Sequence, residues 1–263
     1  MQNLFAIVFF LMTSLGFSQE KQLDLKFIGT EKIKPDTFVG KDAYANTYSI
    51  TQNEFRKENP QKKYVYRSLP LGKIHSVDLQ NPLQIVLFYK IMNSVVLLDS
   101  QLNETFKINF SESNPELLPQ QIGLASQNRL WLFDLATQKL GLYDFQKQVF
   151  NPITVIFEHP ILFSQSDYNY FYWVDDQHKL FACNLFGKIN FLGEVPNFDS
   201  MQIISSKEIL LKKGSILTLW DWEKQTSQIV PIPEKSFQSF YYKEQILSIF
   251  TDNEIRNYKL ILP

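Results

Sequence analysis

A unit that recurs four times along the chain limits what it can fold into. Leu83–Asp99 (LQIVLFYKIMNSVVLLD), Arg129–Asp144 (RLWLFDLATQKLGLYD), Tyr170–Asn184 (YFYWVDDQHKLFACN) and Glu208–Asp221 (EILLKKGSILTLWD) share one plan. Each runs apolar strand, turn, apolar strand, then Asp or Asn before a polar turn. The closing residues Asp99, Asp144, Asn184 and Asp221 step by 45, 40 and 37 positions. One unit is too short and too apolar to bury its own faces, so neighbours must stack. Several strands per unit at a period near 40 is the mark of a β-propeller. The expected fold is all-β: a single propeller, six blades of four strands.

Composition fits that reading and removes others. Aromatic residues reach 15%, with 23 Phe and 12 Tyr, and large flat side chains pack well on pleated surfaces. Glycine is scarce at 9 of 263 residues, which tells against glycine-rich phosphate loops. Twenty-six basic residues face 27 acidic ones, for a formal charge of −1. Nucleic-acid binding by counterion release needs clustered Lys and Arg. The densest groups here, Arg56-Lys57 with Lys62-Lys63 and Lys212-Lys213, are short and fall at expected turns, so no nucleic-acid partner is expected.

The first residues, MQNLFAIVFFLMTSLGFSQE, read as a secretory signal: an apolar stretch Leu4–Met12, then Gly16-Phe17-Ser18 at the cleavage positions. Residues 1–18 are therefore expected to be a signal peptide and 19–263 the propeller. The apolar stretch is too short to span a bilayer, and no transmembrane span is expected in the mature chain. The single cysteine, Cys183, has no disulfide partner and sits in an expected strand, where it reads as a small buried apolar residue.

Six blades are countable, with five or seven left open by the irregular first. The first comprises Thr37–Ala43, Thr47–Ile50, Glu54–Lys57 and Lys63–Ser68. The second comprises Ile74–Leu79, Gln84–Tyr89, Ser94–Leu98 and Glu104–Phe110. Blades three to five span about Pro119–Phe157, Pro160–Val195 and Met201–Ile232. The sixth has only Phe237–Tyr242, Ile246–Phe250 and Glu254–Leu262, while Leu23–Gly29 is a spare strand at the other end. Pairing the spare strand with the short blade closes the ring and removes an open edge.

Motifs for chemistry are few. HExxH, CxxC, GxSxG and GxxxxGKS are all missing from the sequence, as is the EF-hand spacing. Asp99, Asp144, Asn184 and Asp221 follow third strands, which lie far apart on different blades. They read as turn residues that accept backbone N–H groups, not as a metal set. Asp175-Asp176-Gln177-His178 reads as a hairpin turn. Trp131, Trp173, Trp220 and Trp222 read as packing between blades, whereas Phe186, Phe198 and the run Phe237–Tyr242 are candidates for an exposed aromatic patch. A site in the central channel would draw on the first strands, which offer His75, Asp78, Gln121, Ser164, Gln202 and Gln238. Those residues form no nucleophile–base pattern, and no cofactor is expected.

The pattern LxLFDLATQKLGLYD, the GFSQ ending and the stretch LGKIHSVDLQNPLQIVLFYKIMNSVVLLDSQLNETFKINF resemble a secreted β-propeller family of Bacteroidota-type bacteria, within the six- to seven-bladed propellers. The resemblance covers most of the mature chain and carries no catalytic residues to transfer. It implies the periplasm, or the periplasmic side of the outer membrane, and a role docking onto envelope complexes such as the type IX secretion machinery. The expected function is thus a non-enzymatic interaction module with protein partners. The alternative is a small-molecule or glycan binder, or a hydrolase- or lyase-type enzyme, acting in the central channel.

Overall fold

A computed structural model describes residues 23–262; the signal-like segment lies outside them. Six antiparallel sheets of four strands stand side by side as the blades of a propeller. The chain begins with β1 (Leu25–Lys32) and then builds blade 1 from β2 (Thr37–Lys41), β3 (Thr47–Thr51), β4 (Glu54–Glu58) and β5 (Lys63–Tyr66). Blade 2 holds β6 (Ser76–Asp78), β7 (Ile85–Tyr89), β8 (Ser94–Leu98) and β9 (Glu104–Asn109), followed by one helical turn, α1 (Phe110–Ser113). Blade 3 holds β10 (Pro119–Ala125), β11 (Arg129–Asp134), β12 (Lys139–Asp144) and β13 (Val149–Pro152). Blade 4 holds β14 (Ile161–Ser166), β15 (Tyr170–Asp175), β16 (Lys179–Asn184) and β17 (Ile189–Glu194). Blade 5 holds β18 (Ser200–Ile203), β19 (Glu208–Lys213), β20 (Ile216–Asp221) and β21 (Thr226–Ile229). Blade 6 holds β22 (Ser239–Lys243), β23 (Ile246–Phe250) and β24 (Glu254–Leu260), and β1 is its outer strand.

The ring therefore closes as the spare strand predicts. β1 runs antiparallel to β24 from Leu25 opposite Leu260 to Lys32 opposite Glu254. It extends to Lys32 rather than stopping at Gly29, with an irregularity between Phe27 and Gly29. Several expected strands are shorter or shifted by one to three residues, among them Lys63–Ser68, which ends at Tyr66, and Phe237–Tyr242, which runs Ser239–Lys243; for two boundaries the local reason is visible. Strand β6 ends at Asp78 because the Asp78 carboxylate accepts the Gln80 N–H (2.8 Å) and turns the chain. Strand β9 ends at Asn109 because its side chain accepts the Ser111 N–H (3.1 Å) and caps α1.

The repeated Asp and Asn shape turns. Asp99 accepts from Gln101 N (2.7 Å) and Asn103 N (2.9 Å), and Asn184 from Phe186 N and Lys188 N, both at 3.0 Å. Asp144 and Asp221 bind the N–H groups two and three residues on in the same way.

Apolar faces of adjacent blades form the core. Blades 2 and 3 share Val86, Val95, Leu124, Leu130 and Tyr143, among others. Blades 3 and 4 share Trp131, Phe157, Phe171 and Trp173, and Cys183 lies here too. Burial pushes its thiol up to about 11. Among the described residues, five junctions each hold eight to twelve buried apolar side chains. The sixth, where blade 6 meets blade 1, holds three: Phe38, Phe250 and Ile255. The reason is written in blade 1. Strands TYSIT and EFRKE alternate, and residues directly opposite share a face. Tyr48, Ile50 and Phe55 turn toward blade 2, while Thr47, Ser49, Arg56 and Glu58 turn toward blade 6.

Polar groups bridge that closing junction instead. The Glu31 carboxylate accepts hydrogen bonds from Thr47 Oγ1 (2.8 Å) and Asn257 Nδ2 (2.9 Å) and is paired with Lys41. Ser248 Oγ donates in turn to Asn257 Oδ1 (2.7 Å). No helix among the described residues is long and apolar enough to cross a membrane.

Candidate functional site: the central channel and the loop faces

Six inner strands, β2, β6, β10, β14, β18 and β22, surround the axis. Their side chains mostly bind the next blade. Gln202 Nε2 donates to Tyr242 O (2.7 Å), and Tyr242 N donates back to Gln202 Oε1 (2.8 Å). Gln165 makes the same pair of bonds to Ile203, at 2.8 and 2.9 Å. Each amide thus staples one inner strand to the next, which satisfies backbone groups that a blade edge would leave open.

Asp78 plays a similar part between blades 2 and 3. Its Oδ2 accepts the Leu124 N–H at 2.7 Å. Burial pushes its carboxyl above the usual carboxylate range, opposed by the Leu124 and Gln80 N–H groups and by the Lys243 charge. Around it the structure gathers Tyr241, read from sequence as part of an exposed aromatic run, and Tyr168, which sequence reasoning did not single out. Burial raises the Tyr241 hydroxyl, and the Asp78 and Asp42 charges raise it further. Burial followed by the Asp78 charge does the same at Tyr168. Close approaches hold this group in place. A Cβ at Gly40 would sit 2.8 Å from the Tyr241 ring, and one at Gly123 would meet Ser166 Oγ at 1.9 Å.

The remaining channel candidates occupy other places along the inner strands. His75 is exposed ahead of β6, its ring edge-on to Phe88 at 5.7 Å, and its pKa is lowered by burial and by Lys90 and Lys73. Gln238 is exposed ahead of β22 and donates to Asp252 Oδ1 (2.9 Å). Gln121 and Ser164 are half-buried within β10 and β14. His75 and Gln238 therefore sit where inner strands begin, Asp78 where one ends, and Gln202 within the wall. Among the described residues no three His, Cys, Asp or Glu side chains are placed to hold a metal ion.

The loop faces carry a different signal. B–C turns and D–A connections emerge at one end of the blades. Blades 2 to 4 expose Ile91 (85%), Met92, Leu118, Leu135, Val155 (75%), Ile156 and Leu162 at that end. Leu135 N donates to Leu118 O (2.9 Å), which joins two of these loops. The expected aromatic patch is mostly interior. Phe198 packs edge-on to Phe163 and His178, Phe237 is buried, and Phe240 and Tyr242 pack on the junction of blades 5 and 6. Phe186 alone of that set is open, at 90% exposure on the opposite end.

No protein-family model matches the chain, and no curated protein matches it in sequence. Solved structures share its architecture. Virginiamycin B lyase from Staphylococcus aureus matches with a TM-score of 0.57 and 10% identity over 90% of this chain and 100% of that one. BamB from Moraxella catarrhalis matches at 0.53 and 8%, over 90% and 100%. PorZ, a surface component of the type IX secretion system of Porphyromonas gingivalis, matches at 0.51 and 12%, over 84% of this chain and 32% of that one. Identities this low establish a shared fold and nothing finer: the chain is a six-bladed β-propeller.

Proposed function

We propose that this propeller is a non-enzymatic interaction module of the bacterial envelope, docking onto an outer-membrane or secretion-system complex. The observation that carries the reading is the set of exposed aliphatic side chains on one loop end of blades 2 to 4. Exposed aliphatic side chains grouped on one loop end are costly in water and mark a contact site. The fold likeness to BamB and PorZ and the signal-like first residues agree with the location. The test is affinity purification from the native envelope beside a triple variant, Ile91→Asp, Leu118→Asp and Val155→Asp. The wild type is expected to retain a stoichiometric partner and the variant to lose it with unchanged melting. A lone monomer in both, or equal retention in both, overturns the reading.

The competing reading places a small-molecule, glycan or lyase-type site in the channel, and the group Asp78, Tyr241 and Lys243 favours it. It predicts that an Asp78→Asn variant loses a ligand or activity that the loop-face variant retains.

A further inference from the structure

The junction of blades 6 and 1 differs from the other five in more than its small apolar core. A cleft of about 560 Å³ runs along it, from the Ile33–Pro35 connection at one end to Ala45 and Pro60 at the other. Its volume is that of a ligand site. Its floor is the polar face of blade 1, with Thr47, Ser49 and Thr51 in a row on β3. Thr47 and Ser49 are buried, each at 6% exposure. Thr47 is fixed by Glu31, while the Ser49 hydroxyl has no hydrogen-bond partner among the described residues. The Ser49 hydroxyl therefore opens on the cleft, free to donate to or accept from a bound polar group.

Charge in the cleft is unbalanced. Lys32, Lys34, Arg56 and Lys63 line it against two carboxylates, Glu31 and Glu58. Glu31 is taken up by Lys41, Thr47 and Asn257, Glu58 is ion-paired with Lys63 at 2.7 Å, and Arg56 is held by Glu54 at 2.8 Å, which leaves Lys32 and Lys34 as the unpaired charges. Lys32 and Lys34 are exposed and have no ionic partner among the described residues. No aromatic ring lines the cleft, so a neutral sugar lacks a stacking surface. A peptide strand would want a free sheet edge, whereas the cleft lies over the face of β3 and β4, where side chains and not backbone groups point.

We propose that this cleft binds an acidic saccharide, its hydroxyls on the Thr47–Ser49–Thr51 row and its carboxylate on Lys32 and Lys34. This site is separate from the channel and from the aliphatic loop end. It stands whether or not those serve in docking.

Calorimetric titration of the full mature chain with trigalacturonic acid tests it, with maltotriose as the neutral comparator and hexaglutamate as the acidic peptide. Saturable binding of the uronate is expected, weakening as salt rises. Both comparators should bind at least about tenfold more weakly. Lys34→Glu and Ser49→Val should each weaken uronate binding about tenfold or more, with melting curves confirming the fold. Absence of saturable uronate binding up to about 10 mM overturns the proposal. So does equal or tighter binding of maltotriose or hexaglutamate, or unchanged affinity in Lys34→Glu.

Discussion

At Gly141 the third strand of blade 3 runs so close to its outer neighbour that no side chain fits. A Cβ there would lie 2.4 Å from the Asn151 carbonyl oxygen and 2.5 Å from the Phe150 ring. Backbone cannot rotate away as a side-chain tip can. Gly141→Ala is therefore expected to destabilise by roughly 1–3 kcal/mol, read as a lower urea midpoint with an unchanged slope. Glu31 supports a second prediction. Burial alone would raise its carboxyl, but hydrogen bonds from Lys41, Thr47 and Asn257 outweigh burial and hold it below its ordinary value of 4.5. A lowered folded value means the stabilisation is complete above the unfolded value and is lost as pH falls through the folded one. Glu31→Gln should melt lower than wild type at pH 7, and the gap should close as the pH drops well under 4.5. A gap that persists in acid would show that the Glu31 charge is not what holds this junction. Other residues were harder to read in advance. Gln165 and Gln202 stand at matching places in successive blades, a cue present in the repeat, yet Gln202 reads from sequence as a channel ligand and Gln165 goes unnoticed. Their partners lie 38 and 40 residues away, and only the radius of the ring makes them neighbours.

Strands were legible where alternation or turn chemistry announced them. EFRKE alternates, with Phe55 and Lys57 buried between half-buried neighbours, and an Asp or Asn closes the third strand of blades 2 to 5. The Asp78–Tyr241–Tyr168 group was not legible, because Tyr241 lies in an aromatic run that looks like surface and is held inward by the bare backbone of Gly40. The closing strand is the element with the clearest mechanical role. It supplies Glu31 to the junction of blades 6 and 1 and Leu25 to the junction of blades 5 and 6, where Leu23 just ahead of it is also buried. Deleting residues Gln22–Thr30 should unpair β24 and expose an edge able to join other chains. The expected result is aggregation or a large drop in melting temperature; a soluble deletion with wild-type melting would contradict it. Hydrogen exchange offers a gentler check. Amides of β1 and β2 should exchange faster than those of β8 and β11, since the blade 6 to blade 1 junction buries the least apolar surface.

For the molecule as a whole, five oily junctions and one polar one make a ring with a defined weak point. Leu25 pairs with Leu260, a separation of 235 residues (260 − 25). Contacts between positions that distant form slowly, because the loop-closure cost comes before the contact repays it. Blades 1 to 5 each pair within a short stretch of chain, so each can form as soon as it is available. Blade 6 cannot, because one of its four strands comes from the opposite end of the fold. As the chain is synthesised, β1 is made before β24 and must wait unpaired, carrying Leu25, Phe27 and Ile28, until β24 arrives. That interval is a property of the connectivity and not of any single contact. During it the strand is an open apolar edge that another chain could join.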